Sequence, residues 1–108
     1  MTIKELIAKL ESFKVDLLRT KAFLPPRQSN MFGCHMDDLD KEVERLESGS
    51  VSDVSSSIIK DGLGLYLEFL QGDVKDLVPR MRSPYKEDMK ALVKNIAETR
   101  VRLTELQR

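Results

Sequence analysis

Apolar residues recur along this chain in the 3.6-residue rhythm of helices rather than the two-residue rhythm of strands. The clearest run is the last one. Tyr85, Met89, Leu92, Ile96, Thr99, Leu103 and Leu106 follow at steps of 4, 3, 4, 3, 4 and 3, with Val93 widening the stripe. They share one helix face, and only Thr99 among them is polar. Ser83-Pro84 predicts the start of this helix. A Ser hydroxyl there can accept a bond from a first-turn N–H, and Pro at the next position lacks an N–H that would have no partner anyway. Glu87 and Asp88 then sit at the positive end of the helix dipole, with Arg100, Arg102 and Arg108 toward the other end. A helix of about 24 residues is about 36 Å long at 1.5 Å per residue. Such a rod cannot bury its seam alone.

The first helix is equally plain. Thr2 with Glu5 three residues on makes a capping box. Ile3, Leu6, Leu10, Phe13 and Leu17 then repeat at 3, 4, 3 and 4, flanked by Ile7 and Leu18, and Pro25-Pro26 predicts an end near Ala22. Leu24 to Asn30 reads as the first connection, stiff at its prolines and polar after them. Phe32, Met36, Leu39, Val43 and Leu46 predict a second helix from Asn30, carrying Gly33 inside it; a start at Asp37 or Asp38 is the alternative. Gly49 within Ser48-Gly49-Ser50 is the expected left-handed cap. A third helix from Ser50 or Ser52 carries Val51, Val54, Ile58, Leu65 and Phe69 as its seam, with Gly62 in the vacant slot and Ile59, Tyr66 and Leu70 beside it. Asp61-Gly62-Leu63-Gly64 weakens or kinks it. Gly72-Asp73 is expected to end it, with a short helical turn from Val74 to Val78 after.

These elements predict an all-α fold, an antiparallel up-down bundle of about four helices formed by residues 1–108 as one domain. The alternative is a long helical hairpin that completes its core as a homodimer. Composition agrees: 41% hydrophobic and 33% charged residues, no Trp, and few aromatics.

Charge changes the picture only locally. The net charge is zero, which removes any global pull toward nucleic acid or membrane. Residues 1–28 hold six basic and three acidic side chains, however, whereas 29–49 hold two basic and six acidic. A basic first helix beside an acidic second one accounts for this. The single Cys rules out an internal disulfide and fits a reducing compartment. The opening residues run straight into an amphipathic helix rather than a signal peptide, and no apolar run approaches the roughly 20 residues that span a bilayer. A cytoplasmic location is expected.

Catalytic chemistry finds little footing. Cys34-His35 is an adjacent pair with no second Cys or His to complete a zinc set, and a c-type haem site would need two Cys. Neighbours on a helix point about 100° apart, so Cys34 and His35 are poorly placed as nucleophile and base. A small buried or half-buried Cys34 and a surface His35 is the simpler expectation. Asp61-Gly62-Leu63-Gly64 lacks the Lys-Ser/Thr of a phosphate loop. No Gly-x-Ser-x-Gly elbow exists, and the Ser-rich 50–57 stretch suits capping. Neither enzyme activity nor a cofactor is expected.

Two binding readings remain. In the first, a rigid segment from Phe23 to Gly33 presents Phe23, Arg27, Met31 and Phe32 to a protein partner, residue types enriched at interfaces. Asp37, Asp40 and Glu44 on the second helix would steer a basic partner. Phe32 could instead plug the end of the core. Adaptor, chaperone, inhibitor and immunity-type roles all fit this reading. The second reading is a nucleic-acid-binding accessory protein that uses Arg80, Arg82, Lys86 and Lys90, with Tyr85 as a stacking face.

Overall fold

Four helices are present among the described residues, and they pair as hairpins. The computed structural model describes residues 1–49 and 62–106. The fold is all-α: α1 (Ile3–Lys21), α2 (Pro26–Glu47), α3 (Gly64–Leu77) and α4 (Tyr85–Leu106), with no strand among the described residues. A 3₁₀ turn, Val78–Arg80, links α3 to α4. Packing divides the helices into two compact units, α1 with α2 and α3 with α4.

In the first unit, Thr2 Oγ1 accepts from the Glu5 N–H at 3.1 Å, which fixes the start of α1. Ile3, Leu6, Leu10, Phe13, Leu17 and Thr20 are buried, continuing the predicted seam by one more turn. The connection is shorter than expected. Pro25 is extended (φ −56°, ψ 155°), as a residue before proline must be, and Pro26 is already the first residue of α2. Arg27 to Asn30 are therefore helical rather than loop. The two helices run antiparallel in a single register. Lys14 of α1 pairs with Asp40 of α2, while the Lys21 aliphatic chain lies 3.2 Å from where a Cβ on Gly33 would sit.

The buried face of α2 is Phe32, His35, Leu39, Val43 and Leu46. His35 takes the place expected for Met36, which is half-buried. The Cys34–His35 expectation is thus reversed, since Cys34 is exposed and His35 is 2% exposed. Steps of 3, 4, 4 and 3 from Phe32 select residue 35, and the adjacent residue 34 must then face out. Gly49 does not adopt a left-handed φ. Instead its N–H donates to the Leu46 carbonyl at 3.3 Å and the Ser48 hydroxyl to the Arg45 carbonyl at 3.0 Å.

In the second unit, the expected helix start at Ser50 or Ser52 and the positions Val51, Val54, Ile58 and Ile59 lie outside the described residues. Gly62 has φ 105°, a left-handed value that no residue inside a right-handed helix takes. The seam restarts as Leu63, Leu67, Leu70, Val74 and Leu77, all buried. Leu65 and Phe69, expected inside, are 74% and 59% exposed. Gly72-Asp73 does not end the helix, because the buried positions on either side of it continue one face and packing overrides the glycine's poor propensity.

α4 folds back on α3, with Arg100 donating to Gln71 Oε1 at 2.6 Å and lying 3.7 Å from Glu68. Met89, Leu92, Ile96, Thr99 and Leu103 form its buried face, as predicted; Tyr85 is half-buried and Leu106 is exposed. The buried Thr99 hydroxyl donates to the Asn95 carbonyl at 3.0 Å, so the seam's one polar member is satisfied.

The start of α4 departs from expectation in two details: the helix begins at Tyr85 rather than at Pro84, and the Ser83 hydroxyl bonds a side chain. Ser83 donates its hydroxyl to Glu87 Oε1 at 2.7 Å, which holds the Glu87 carboxyl below its ordinary value of 4.5. Because the folded value is the lower one, this bond stabilises the chain above pH 4.5 and is lost as pH falls through the folded value. Wild type should therefore melt above Ser83→Ala at neutral pH, and the gap should close in acid, as thermal melts followed by circular dichroism will show.

Candidate protein-interaction surface

The α1–α2 hairpin leaves apolar side chains in water at the end where its helices are joined. Val15 and Leu18 of α1 and Ala22, its C-cap, lie at steps of 3 and 4, on a stripe outside the buried seam; Leu18 is 58% exposed. Phe23, just past the helix, is 62% exposed. Beside this stripe runs a shallow groove of ≈ 540 Å³, lined by Leu18 and Lys21 of α1 and by Asn30, Gly33, Cys34, Met36 and Asp37 of α2. The hairpin register places these residues opposite one another, and the lack of a side chain at Gly33 lets the Lys21 aliphatic chain lie close against α2 there. Its walls carry a thioether, a thiol and a leucine, with Lys21 and Asp37 supplying one charge of each sign.

The residues singled out from sequence divide clearly. Phe23 and Arg27 are exposed near the joined end, and Met31 is half-buried one turn beyond Arg27. Asp37 is exposed and lines the groove, and Glu44 is exposed two turns further along α2. Phe32 does not belong to this surface: at 0% exposure it is core. Asp40 is engaged within the hairpin, because Lys14 pairs with it and also reaches Glu11 at 3.4 Å. Chiefly through its hydrogen bond to Asp40, the Lys14 ammonium titrates above its ordinary 10.5. A raised folded value means that this contribution is complete below pH 10.5 and is lost only as pH rises through the folded value. This contact joins the basic first helix to the acidic second one, as their charges suggested.

The Arg27 charge opposes the dipole of its own helix. It sits in the first turn of α2, where no acidic residue is present and where a cation opposes the dipole by roughly 0.3–1 kcal/mol. Leu18, Lys21, Asn30, Cys34 and Met36 join the surface although sequence reading did not select them as a group. The signal for Leu18 was its place beside the seam. The others depend on the hairpin register, which no local pattern specifies.

The basic residues near the second hairpin form a looser set. Arg80 and Arg82 are exposed around the connecting turn, Lys90 is exposed on α4, and Lys86 is half-buried. Exposed Glu87 and Asp88 lie among them, and Lys90 and Lys86 both help to lower the Glu87 carboxyl. Their field is thus partly neutralised in place. Among the described residues no group of three or more His, Cys, Asp or Glu side chains is arranged to hold a metal ion, and no helix is long and apolar enough to cross a membrane.

No family model, curated protein or solved structure matches this chain.

Proposed function

We propose that this chain is a non-catalytic, cytoplasmic protein-interaction module of adaptor, chaperone, inhibitor or immunity type. Its α1–α2 hairpin is the docking element. The observation that carries the reading is that exposed Leu18 lines a groove walled by Met36 and Cys34, with exposed Phe23 following just past the end of α1. Apolar side chains gathered at one end of a hairpin, rimmed by Lys21, Arg27 and Asp37, have the composition of an interface core with a polar rim. Asp37 and Glu44 extend a negative face along α2 that favours a basic partner. The opposite burial of Cys34 and His35 supports the non-catalytic reading, since a thiol in water and an imidazole in the core do not form a nucleophile–base pair.

The test is affinity capture of partners by the tagged chain from its source, with and without nuclease. A stoichiometric protein that survives nuclease is the expected result. Material that disappears with nuclease would contradict it and shift the function to nucleic-acid binding through Arg80, Arg82, Lys86 and Lys90.

A further inference from the structure

A second surface, on α3, carries an independent inference. Leu65, Phe69 and Gly72 follow at steps of 4 and 3 on the side of α3 opposite its buried seam, and all three are exposed. Leu65 and Phe69 are the most exposed leucine and phenylalanine pair one turn apart that α3 could offer a neighbour. Gly72 is harder to explain from within the chain. It lies mid-helix without a positive φ, and a Cβ added there would meet nothing within 4 Å. Alanine would fit and would favour the helix. A bare position beside a protruding Phe suggests a hole for a knob from outside.

We propose that this face is the interface of a homodimer, in which α3 packs antiparallel against α3 of a second copy. The charges around it identify the occupant. In an antiparallel pair with Phe69 set over the partner's Gly72, two-fold symmetry sets the partner's Phe69 over Gly72. The flanking positions in that register are 68 and 75. Glu68 then faces the partner's Lys75, and Lys75 faces the partner's Glu68, giving two opposite-charge pairs from one helix surface. Glu68 has 62% of its side chain in water and touches Arg100 only at 3.7 Å, and Lys75 is exposed. Both can reach across. Leu65 falls at the rim, over the partner's Asp76, whose carboxylate stays in water. A basic or acidic foreign helix would satisfy one of the two charges; a second copy of the same helix satisfies both.

Sedimentation equilibrium of the full chain over a range of concentrations tests this. The wild type should be dimeric, and Glu68→Lys and Lys75→Glu should each weaken association at least about tenfold. The double exchange Glu68→Lys/Lys75→Glu should restore it. Gly72→Ala should weaken the dimer while raising the thermal stability of the dilute monomer, which a merely structural role for Gly72 would not produce. A wild type that is monomeric throughout, or a dimer that persists in Phe69→Ser and in both charge variants, would overturn the proposal.

Discussion

Phe32→Ala is expected to lower the unfolding free energy by about 3–5 kcal/mol, the range for removing a buried aromatic ring. Phe32 is 0% exposed and, with Phe13, is one of the two largest fully buried side chains in the described residues. Truncation removes the transfer energy of the ring and leaves a cavity that a rigid helix surface fills only in part. Domains of this size are stable by roughly 5–15 kcal/mol, so the loss is a large share of the total. Urea unfolding followed by circular dichroism at 222 nm, the helical band, measures it. A loss below about 1 kcal/mol would place Phe32 at the surface and return it to the docking set. Its neighbour Met31 is half-buried and should behave differently: Met31→Asp should weaken partner binding while helicity is kept. Loss of helicity in that variant would assign Met31 to the core.

Leu18→Asp is expected to abolish partner capture while leaving the chain folded. Leu18 is 58% exposed and lines the groove, whereas Leu17 beside it is fully buried. A carboxylate at position 18 stays hydrated in the free protein, but binding would have to strip its water without offering it a partner. Residues at the centre of an interface cost 2 kcal/mol or more when lost, roughly thirtyfold in affinity. Leu17→Asp, by contrast, buries the same charge in the core and should unfold the hairpin. The pair forms an internal control. Retained binding in Leu18→Asp would remove the groove from the interface.

The limits of sequence reading here fall at identifiable places. The buried faces of α1 and α4 were legible because each seam is uninterrupted and begins at a local signal, Thr2 in one case and Ser83-Pro84 in the other. The phase of α3 was not. Two stripes compete along it, Leu65–Phe69 and Leu63–Leu67–Leu70–Val74–Leu77, and burial selects the second, which the local pattern did not favour. In α2, a one-residue ambiguity between His35 and Met36 inverted the roles of Cys34 and His35, because each residue along a helix turns the face by about 100°. Phe23, Arg27 and Asp37 were legible as surface residues, Asp37 from the acidic face it shares along α2, although the turn expected at Arg27 to Asn30 is helix. The groove was not, since it exists only through the register that sets Lys21 over Gly33 and Lys14 against Asp40.

The measurement that addresses the α1–α2 surface most directly uses the single Cys of the chain as a probe. Cys34 is exposed and lines the groove, so a thiol-coupled photocrosslinker can be attached there without altering another residue. The captured partner should crosslink from Cys34, and the adduct should disappear in Leu18→Asp. In a Cys34→Ser chain carrying Cys at Lys4, exposed at the opposite end of the same hairpin, it should not form. A partner that binds fully yet crosslinks from position 4 and never from Cys34 would contradict the account.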